Sequence, residues 1–188
     1  MSDLKKITIQ YLETAVGELL LGVYQQRLCL CDWRYRNKRE AIDARLQRGL
    51  NARYQEGCDE LLLRAREQLQ QYFYQQRKTF SLPLCLVGTE FQRQVWHGLQ
   101  QIPYGATWSY LQLAQSLGRV NSVRAVASAN GGNALSIFIP CHRVIGSRGE
   151  LTGYAGGIDA KRKLIRLEGD LFGAGGEGWV DRQQLDQA

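Results

Sequence analysis

Apolar and polar positions alternate near the start of the chain, where Ile7, Ile9 and Tyr11 are separated by Thr8 and Gln10. That is the two-residue period of a half-buried strand. Two apolar runs, Gly17 to Tyr24 and Leu28 to Trp33, lie on either side of Gln25-Gln26-Arg27 and predict a small antiparallel sheet. From Asp59 the period lengthens: Leu61, Leu62, Ala65, Leu69, Tyr72 and Phe73 recur at intervals of three and four among Arg and Gln, the stripe of an amphipathic helix. Residues 77–88, with Pro83 and Gly88, read as a connector and place a domain boundary near 88.

The second half reads as mainly helical. Thr89 is placed to cap a helix carrying Phe91, Val95, Trp96 and Leu99, which stops before the turn Ile102-Pro103-Tyr104-Gly105. Ser109 is placed to cap the next, with Leu111, Ala114 and Leu117 inward and Gly118 as its stop. A third runs from Asn121 or Ser122 to Gly131-Gly132, and two short helices joined by a few residues including Gly form a helix-turn-helix pattern. Leu135 to Ile139 predicts a short buried strand aimed at Pro140-Cys141-His142-Arg143, and Asp159 is placed to cap a last helix from Ala160 to Glu168, ended by Gly169. The Gly-rich tail from Gly173 is expected to be loose.

Composition narrows the class. A chain of 188 residues with 44% hydrophobic content can bury a core, which excludes disordered, collagen-like and coiled-coil proteins. The absence of a long apolar run and the start Met1-Ser2-Asp3-Leu4-Lys5 predict a soluble, cytoplasmic protein with no membrane partner. Five cysteines, at 29, 31, 58, 85 and 141, have no framework spacing, so reduced thiols are the default. Cys29-Leu30-Cys31 and two histidines, His97 and His142, make a poor zinc set, and neither a metal nor another cofactor is expected. A net charge of +6 allows a polyanionic partner without requiring one.

The candidate recognition helix, Val123-Arg124-Ala125-Val126-Ala127-Ser128-Ala129-Asn130, offers one long polar side chain, Arg124, among small residues. A major-groove reader carries several side chains that reach base edges. Small residues instead let a backbone come close to a narrow minor groove, and a tightly packed core helix fits equally well. Cys141 stands beside His142. Neighbours on a regular strand face opposite ways, so direct partnership needs a turn or a bridging water; a buried inert cysteine is the commoner reading. Glu168, in the last turn of its helix, opposes the helix dipole. A solvated carboxylate and one held to orient an imidazole both fit.

Ile139-Pro140-Cys141-His142-Arg143-Val144-Ile145 resembles the signature of the O6-alkylguanine-DNA alkyltransferases. Thr89-Glu90-Phe91-Gln92, Val95-Trp96, Ile102-Pro103-Tyr104-Gly105, Ser109-Tyr110, Arg124-Ala125-Val126, Asn133, Gly153-Tyr154 and Leu167-Glu168-Gly169 follow in that family's order and spacing. The resemblance is dense over residues 89–169 and only general over 1–88. It implies an α/β plus α fold: a small ribonuclease-H-like amino-terminal domain with an antiparallel sheet (1–88), a helical DNA-binding and alkyl-acceptor domain with a helix-turn-helix (89–170), and a tail (171–188). The implied activity is DNA repair. Alkylated guanine in duplex DNA, bound through the minor groove with little sequence specificity, is flipped out, and its O6-alkyl group moves irreversibly to Cys141; flipping is the general answer to a target buried in a base stack. O4-alkylthymine is a possible second substrate. The protein is expected to be monomeric, with cooperativity on DNA as the open alternative, and to work at the nucleoid of a bacterium or in the nucleus of a eukaryote.

The resemblance also assigns roles. Cys141 is the nucleophile, His142 its base through a water, Glu168 the holder of the imidazole, and Tyr110 a proton donor toward guanine N3. Arg124 fills the gap left by the flipped nucleotide, and Ala125, Ala127, Ser128, Ala129 and Asn130 accompany it on the DNA-reading helix. Asn133 ties that helix to the active-site segment. Val144, Tyr154, Ala155 and Gly156 line the base pocket. Trp96, Phe91 and Leu99 read as core and His97 as an ordinary, partly exposed histidine. Three departures bear on adduct range. Ala155 replaces a frequent serine, Ser136 a proline that helps to pack benzyl adducts, and Gly156 leaves room that a bulkier residue would fill. Two rivals from other classes are a catalytically silent alkylated-DNA recognition protein, which carries tryptophan at the cysteine position, and a dimeric helix-turn-helix transcription factor. Residues 88–170 hold nine Lys and Arg against five Asp and Glu, which suits any DNA-binding role. A turnover Cys-His hydrolase is the third rival and needs an oxyanion hole.

Overall fold

The computed structural model describes residues 5–169; the expected loose tail lies outside them. Strands β1 (Lys5–Thr14), β2 (Gly17–Tyr24) and β3 (Arg27–Trp33) form the predicted antiparallel meander. Helix α1 (Arg39–Leu50) and a short β4 (Ala52–Glu56) were not legible in the sequence pattern. β4 pairs parallel with β1, giving the order β3-β2-β1-β4. One sheet face, with Ile7, Ile9, Leu20 and Leu30, packs on Ile42 and Leu46 of α1. The opposite face, with Leu19, Leu21, Val23 and Leu28, packs on α2 (Glu60–Phe73) through Leu61, Leu62, Ala65, Leu69 and Tyr72, the predicted stripe. Asp59 caps α2 by accepting from the Leu61 backbone N–H.

The remaining helices are α3 (Glu90–Leu99), α4 (Tyr110–Ser116), α5 (Val123–Gly131) and α6 (Gly157–Glu168), with two-residue strands β5 (Trp108–Ser109) and β6 (Val144–Ile145) in parallel. Thr89 and Ser109 make full capping boxes with Gln92 and Gln112. α6 begins two residues before the expected cap, so Asp159 lies inside its first turn. On α4 the inward residues are Leu113 and Ala114, whereas Leu111 is 44% exposed. The reason is the approach of α3 at Gly98, where Leu113 and Leu117 press against the bare backbone.

One apolar core runs through α2, α3, α4, α5 and α6 and the inner sheet face, so the halves on either side of residue 88 share it. The outer edge of β3 is covered by two chain segments. The connector bonds there through Leu28 N–H to Pro83 O and Cys85 N–H to Leu28 O, and the segment before Cys141 bonds through Cys31 N–H to Ala134 O. An edge paired in this way cannot recruit another chain, and it anchors the reactive segment to the sheet.

Candidate active site

Residues 135–139 do not form the expected strand. The chain turns on itself, with Ile137 at φ 73° and Ile139 N–H donating to Leu135 O at 2.8 Å. The apolar side chains are buried as predicted, but the backbone is satisfied by Asn133 and by isolated bridges, one of them to Cys31 of β3, rather than by a continuous partner strand. The Asn133 side chain accepts from Leu135 N–H at 2.9 Å and donates to Ile139 O at 2.9 Å, which closes the loop. The same amide donates to Cys141 Sγ at 3.2 Å.

A single 3-10 turn, Cys141–Arg143, replaces the strand geometry that separates neighbouring side chains. Cys141 is 3% exposed and His142 fully buried. His142 Nε2 lies 2.8 Å from Glu168 Oε1. Arg143 donates from Nε to Oε2 at 2.8 Å and from Nη2 to Oε1 at 3.0 Å, and from Nη1 to the Ile102 carbonyl at 2.6 Å. Tyr72 donates to Oε1 at 2.7 Å and Gly105 N–H to Oε2 at 3.4 Å. Gly105, at φ 80°, takes a conformation disfavoured for other residues, and a Cβ there would sit 3.0 Å from the Glu168 carbonyl.

These contacts set the protonation pattern. Burial would raise the Glu168 carboxyl, but the imidazole and guanidinium facing it hold it well below the usual carboxylate range. An ionised carboxylate only accepts, so His142 Nε2 carries the proton. Burial lowers the imidazole against the pull of Glu168, so the ring is neutral. Its Nδ1 is buried with no protein partner, which leaves it as the free base. Burial also raises the Cys141 thiol, against the hydrogen bond from Asn133. The resting sulfur is therefore protonated and must be activated.

A cleft of about 680 Å³ is lined by Trp33, Tyr35, Tyr110, Ala127, Tyr154 and Gly156 among others. Tyr110 and Tyr154 are near enough to Cys141 for its charge to raise their phenols, though burial is the larger cause. The Thr152 hydroxyl donates to Tyr110 at 3.4 Å, which leaves the Tyr110 proton free to point into the cleft. Tyr154 stands edge-on to Trp33, ring centroids 4.9 Å apart, and its buried hydroxyl has no protein partner. Lys161 is fully buried, lowered by burial to about 8 and opposed by Cys141. Its Nζ donates to Thr152 O at 2.9 Å.

The structure brings Cys141, His142, Glu168, Asn133 and Val144 together in the interior and places Tyr110, Tyr154, Ala155 and Gly156 around the cleft. On α5, Arg124, Ala125 and Ser128 are exposed and Ala127 half-buried. Ala129 and Asn130, expected on the same DNA-reading face, are turned into the core, where the Ala129 carbonyl accepts from Trp96 Nε1 at 2.8 Å. The expected free space at Gly156 is filled by Trp33, whose ring would lie 2.3 Å from a Cβ. Ser136 is fully buried 4.0 Å from Cys141 Sγ, its hydroxyl donating to Asp32 at 3.4 Å. His97 is exposed.

Sequence reasoning missed Arg143, Tyr72, Lys161 and a clamp from the first half of the chain. In that clamp Arg36, paired with the buried Asp32 at 2.7 Å, donates to the Gly131 and Asn133 carbonyls, and Arg45 donates to the Gly132 carbonyl. Cations thus meet the negative end of α5. Lys161 could have been found from periodicity, because Ala160, Lys161, Leu164, Ile165 and Glu168 share one buried stripe, and two charges on an apolar stripe need partners. Among the described residues no group of three His, Cys, Asp or Glu could hold a metal, and no helix is long and apolar enough to cross a membrane.

A carboxylate that fixes which imidazole nitrogen is free, beside a thiol, is the device of cysteine nucleophiles, and that is the chemical class the site defines. Residues 90–170 match the family model described as the 6-O-methylguanine DNA methyltransferase DNA binding domain. The chain is 41% identical over 157 residues to the constitutive methylated-DNA–protein-cysteine methyltransferase of Bacillus subtilis, covering 83% of this chain and 92% of that protein. It is 52% identical over 102 residues to the methylated-DNA–protein-cysteine methyltransferase of Mycolicibacterium paratuberculosis, covering 54% and 62%. The fold superposes on a crystal structure of Mycobacterium tuberculosis OGT in complex with DNA with TM-score 0.74 and 35% identity, over 89% of this chain and 96% of that one. The chain belongs to the methylated-DNA–protein-cysteine methyltransferase family.

Proposed function

We propose that the protein repairs DNA by accepting, once and irreversibly, the alkyl group of O6-alkylguanine on Cys141. The observation that carries the reading is the neutral His142, with Nε2 on Glu168 and Nδ1 unpartnered, next to a thiol whose neighbours Tyr110 and Tyr154 line an open cleft. The thiol proton passes to Nδ1 through a water, and Glu168 steadies the imidazolium. The thiolate attacks the alkyl carbon in line; the S–C bond forms as the C–O6 bond breaks, and its electron pair stays on guanine. Tyr110 donates a proton toward N3 as that charge develops. Lys161, charged below its pKa of about 8, favours the thiolate.

Duplex DNA with an alkylated guanine is the partner, engaged by a monomer through the minor groove by the exposed face of α5, with Arg124 in the gap left by the flipped nucleotide. In this reading residues 1–88 are the ribonuclease-H-like domain, 89–170 the DNA-binding and acceptor domain, and α4 with α5 the helix-turn-helix. The roles of Asn133, Val144, Tyr154, Ala155 and Gly156 are those of a base pocket and its support.

One equivalent of duplex carrying O6-methylguanine tests the assignment by intact-protein and peptide mass spectrometry. A single methyl on Cys141 is expected, although Cys58 is exposed and Cys85 half-buried. Repeated turnover, or the methyl on another cysteine, rejects the mechanism.

A further inference from the structure

Tyr72 sits on α2, in the half of the chain that the proposed chemistry does not use. Its position on the apolar stripe makes it a core residue, and its ring is fully buried against Phe73, Phe80 and Tyr104. A core ring in this place needs no hydroxyl. The hydroxyl nevertheless donates to Glu168 Oε1 at 2.7 Å across 96 positions of sequence. Oε1 is the same oxygen that His142 Nε2 reaches at 2.8 Å, with Arg143 Nη2 as a third donor at 3.0 Å. A carboxylate oxygen has two lone pairs, so three donors share it and each takes less of its charge. Burial and the Glu168 charge keep the phenol protonated far above its ordinary range, so Tyr72 is always a donor.

We propose that Tyr72 is a positioning residue for alkyl transfer: by sharing Glu168 Oε1 with His142 it fixes the carboxylate and tempers its pull on the imidazole, keeping Nδ1 free to accept the thiol proton. The proposal rests on the reading of Cys141, His142 and Glu168 given above. It makes the amino-terminal half a working part of the site. The titratable and charged groups facing the imidazole and its carboxylate are Cys141 and Arg143 in the turn, Lys161 on α6, Tyr154 before α6, Tyr104 beside Arg143, and Tyr72 itself. Of these Tyr72 is the neutral donor on Oε1, so removing its hydroxyl changes hydrogen bonding without changing net charge.

The test is the single-turnover rate of methyl transfer from an O6-methylguanine duplex to Cys141, read by intact mass from pH 5 to 9. Wild type, Tyr72→Phe, Glu168→Gln and the double variant are compared. Phe retains the packed ring, and a circular dichroism melt checks that the fold is kept. Without the phenol, Glu168 pulls harder on His142 and the ring stays protonated to higher pH. Tyr72→Phe is therefore expected to react about three- to tenfold more slowly near pH 6 and within about twofold of wild type at pH 8.5. In the Glu168→Gln background the same change is expected to leave the pH profile unmoved. If Glu168→Gln is slow but Tyr72→Phe superposes on wild type at every pH, or lowers the rate equally at all of them, Tyr72 is only a core residue and the proposal is overturned. If Glu168→Gln reacts as fast as wild type throughout, the triad reading is itself wrong and the proposal falls with it.

Discussion

Replacing Arg143 by Met keeps most of the side-chain volume and removes a buried charge, which isolates the electrostatic design of the site. Arg143 and Glu168 side chains are 9% and 2% exposed, so solvent does little to screen them. The change removes two bonds to the carboxylate and one to the Ile102 carbonyl. Taking one partner from a buried ion pair costs about 3–5 kcal/mol because the other charge is left uncompensated. The stranded carbonyl adds about 1–3 kcal/mol, partly offset by the packing of Met. We expect a net loss near 4 kcal/mol at pH 7.5, a large share of a typical domain stability of about 5–15 kcal/mol.

The sign of the pH dependence follows from the two groups that remain. In wild type the Glu168 carboxyl is depressed, so its contribution is present above the ordinary carboxyl value and fades as pH falls below it. In the variant, His142 faces an uncompensated carboxylate and its pKa rises. A raised imidazole stabilises fully below its unfolded value and loses that effect as pH increases. Between pH 5 and 8 the imidazole trend governs and shrinks the deficit on acidification, and the carboxyl trend adds to it only below the ordinary carboxyl value. Urea titrations followed by tryptophan fluorescence, with Trp33 and Trp96 as buried reporters, read the deficit from pH 5 to 8. A loss below about 1 kcal/mol, or one that does not change over that range, refutes the argument.

Asn133→Ala removes three buried hydrogen bonds, those to Leu135 N–H, Ile139 O and Cys141 Sγ. We expect it to destabilise the fold by about 2–4 kcal/mol and to slow methyl transfer, because the turn at Ile137 then keeps only its own Ile139 N–H to Leu135 O bond; denaturation midpoints unchanged within error would contradict this. Lys161→Met tests the buried cation. Burial lowers Lys161 from 10.5 to about 8, so between those values the unfolded chain binds the extra proton and wild-type stability rises with pH, by up to about 1.4 kcal/mol per unit. The wild-type-minus-variant difference should therefore climb from pH 8 to 10, and a flat difference would show that Lys161 keeps its ordinary titration in the folded state.

The parts of this molecule that local rules govern were legible. Alternation gave β1, apolar runs gave β2 and β3, and Thr89 and Ser109 as caps marked α3 and α4, because a cap is a contact within four residues. α1 escaped because it buries only Ile42 and Leu46 of its twelve residues, too few to set a period. β4 escaped because an edge strand of five residues with Ala52 as its buried member has almost no pattern. At the site, Cys141, His142 and Glu168 came from motif resemblance, and their geometry did not. Residues 135–139 have the composition of a strand; what makes them a turn is the side chain of Asn133, a tertiary decision that propensity cannot contain. Ala129 and Asn130 shared a helix with Arg124 but not its exposed face, and only the packing of Trp96 on α5 decides where that face ends.

The resting site is built to be slow until it is occupied. Of the five free thiols, Cys58 is the exposed one, whereas Cys141 lies beside His142 and is 3% exposed with its thiol raised by burial. Stray electrophiles and oxidants attack the thiolate, so a neutral, enclosed sulfur survives in the cell. A catalyst with many turnovers can tolerate the loss of a few active sites. A protein spent by its first reaction loses its whole yield to each stray alkylation, and a low resting reactivity is then worth more than a fast thiolate. On this argument the burial that hinders Cys141 is part of the function. The neutral His142 and the charge-balanced Glu168 are what let the nucleophile form only when a substrate in the cleft offers the electrophilic carbon.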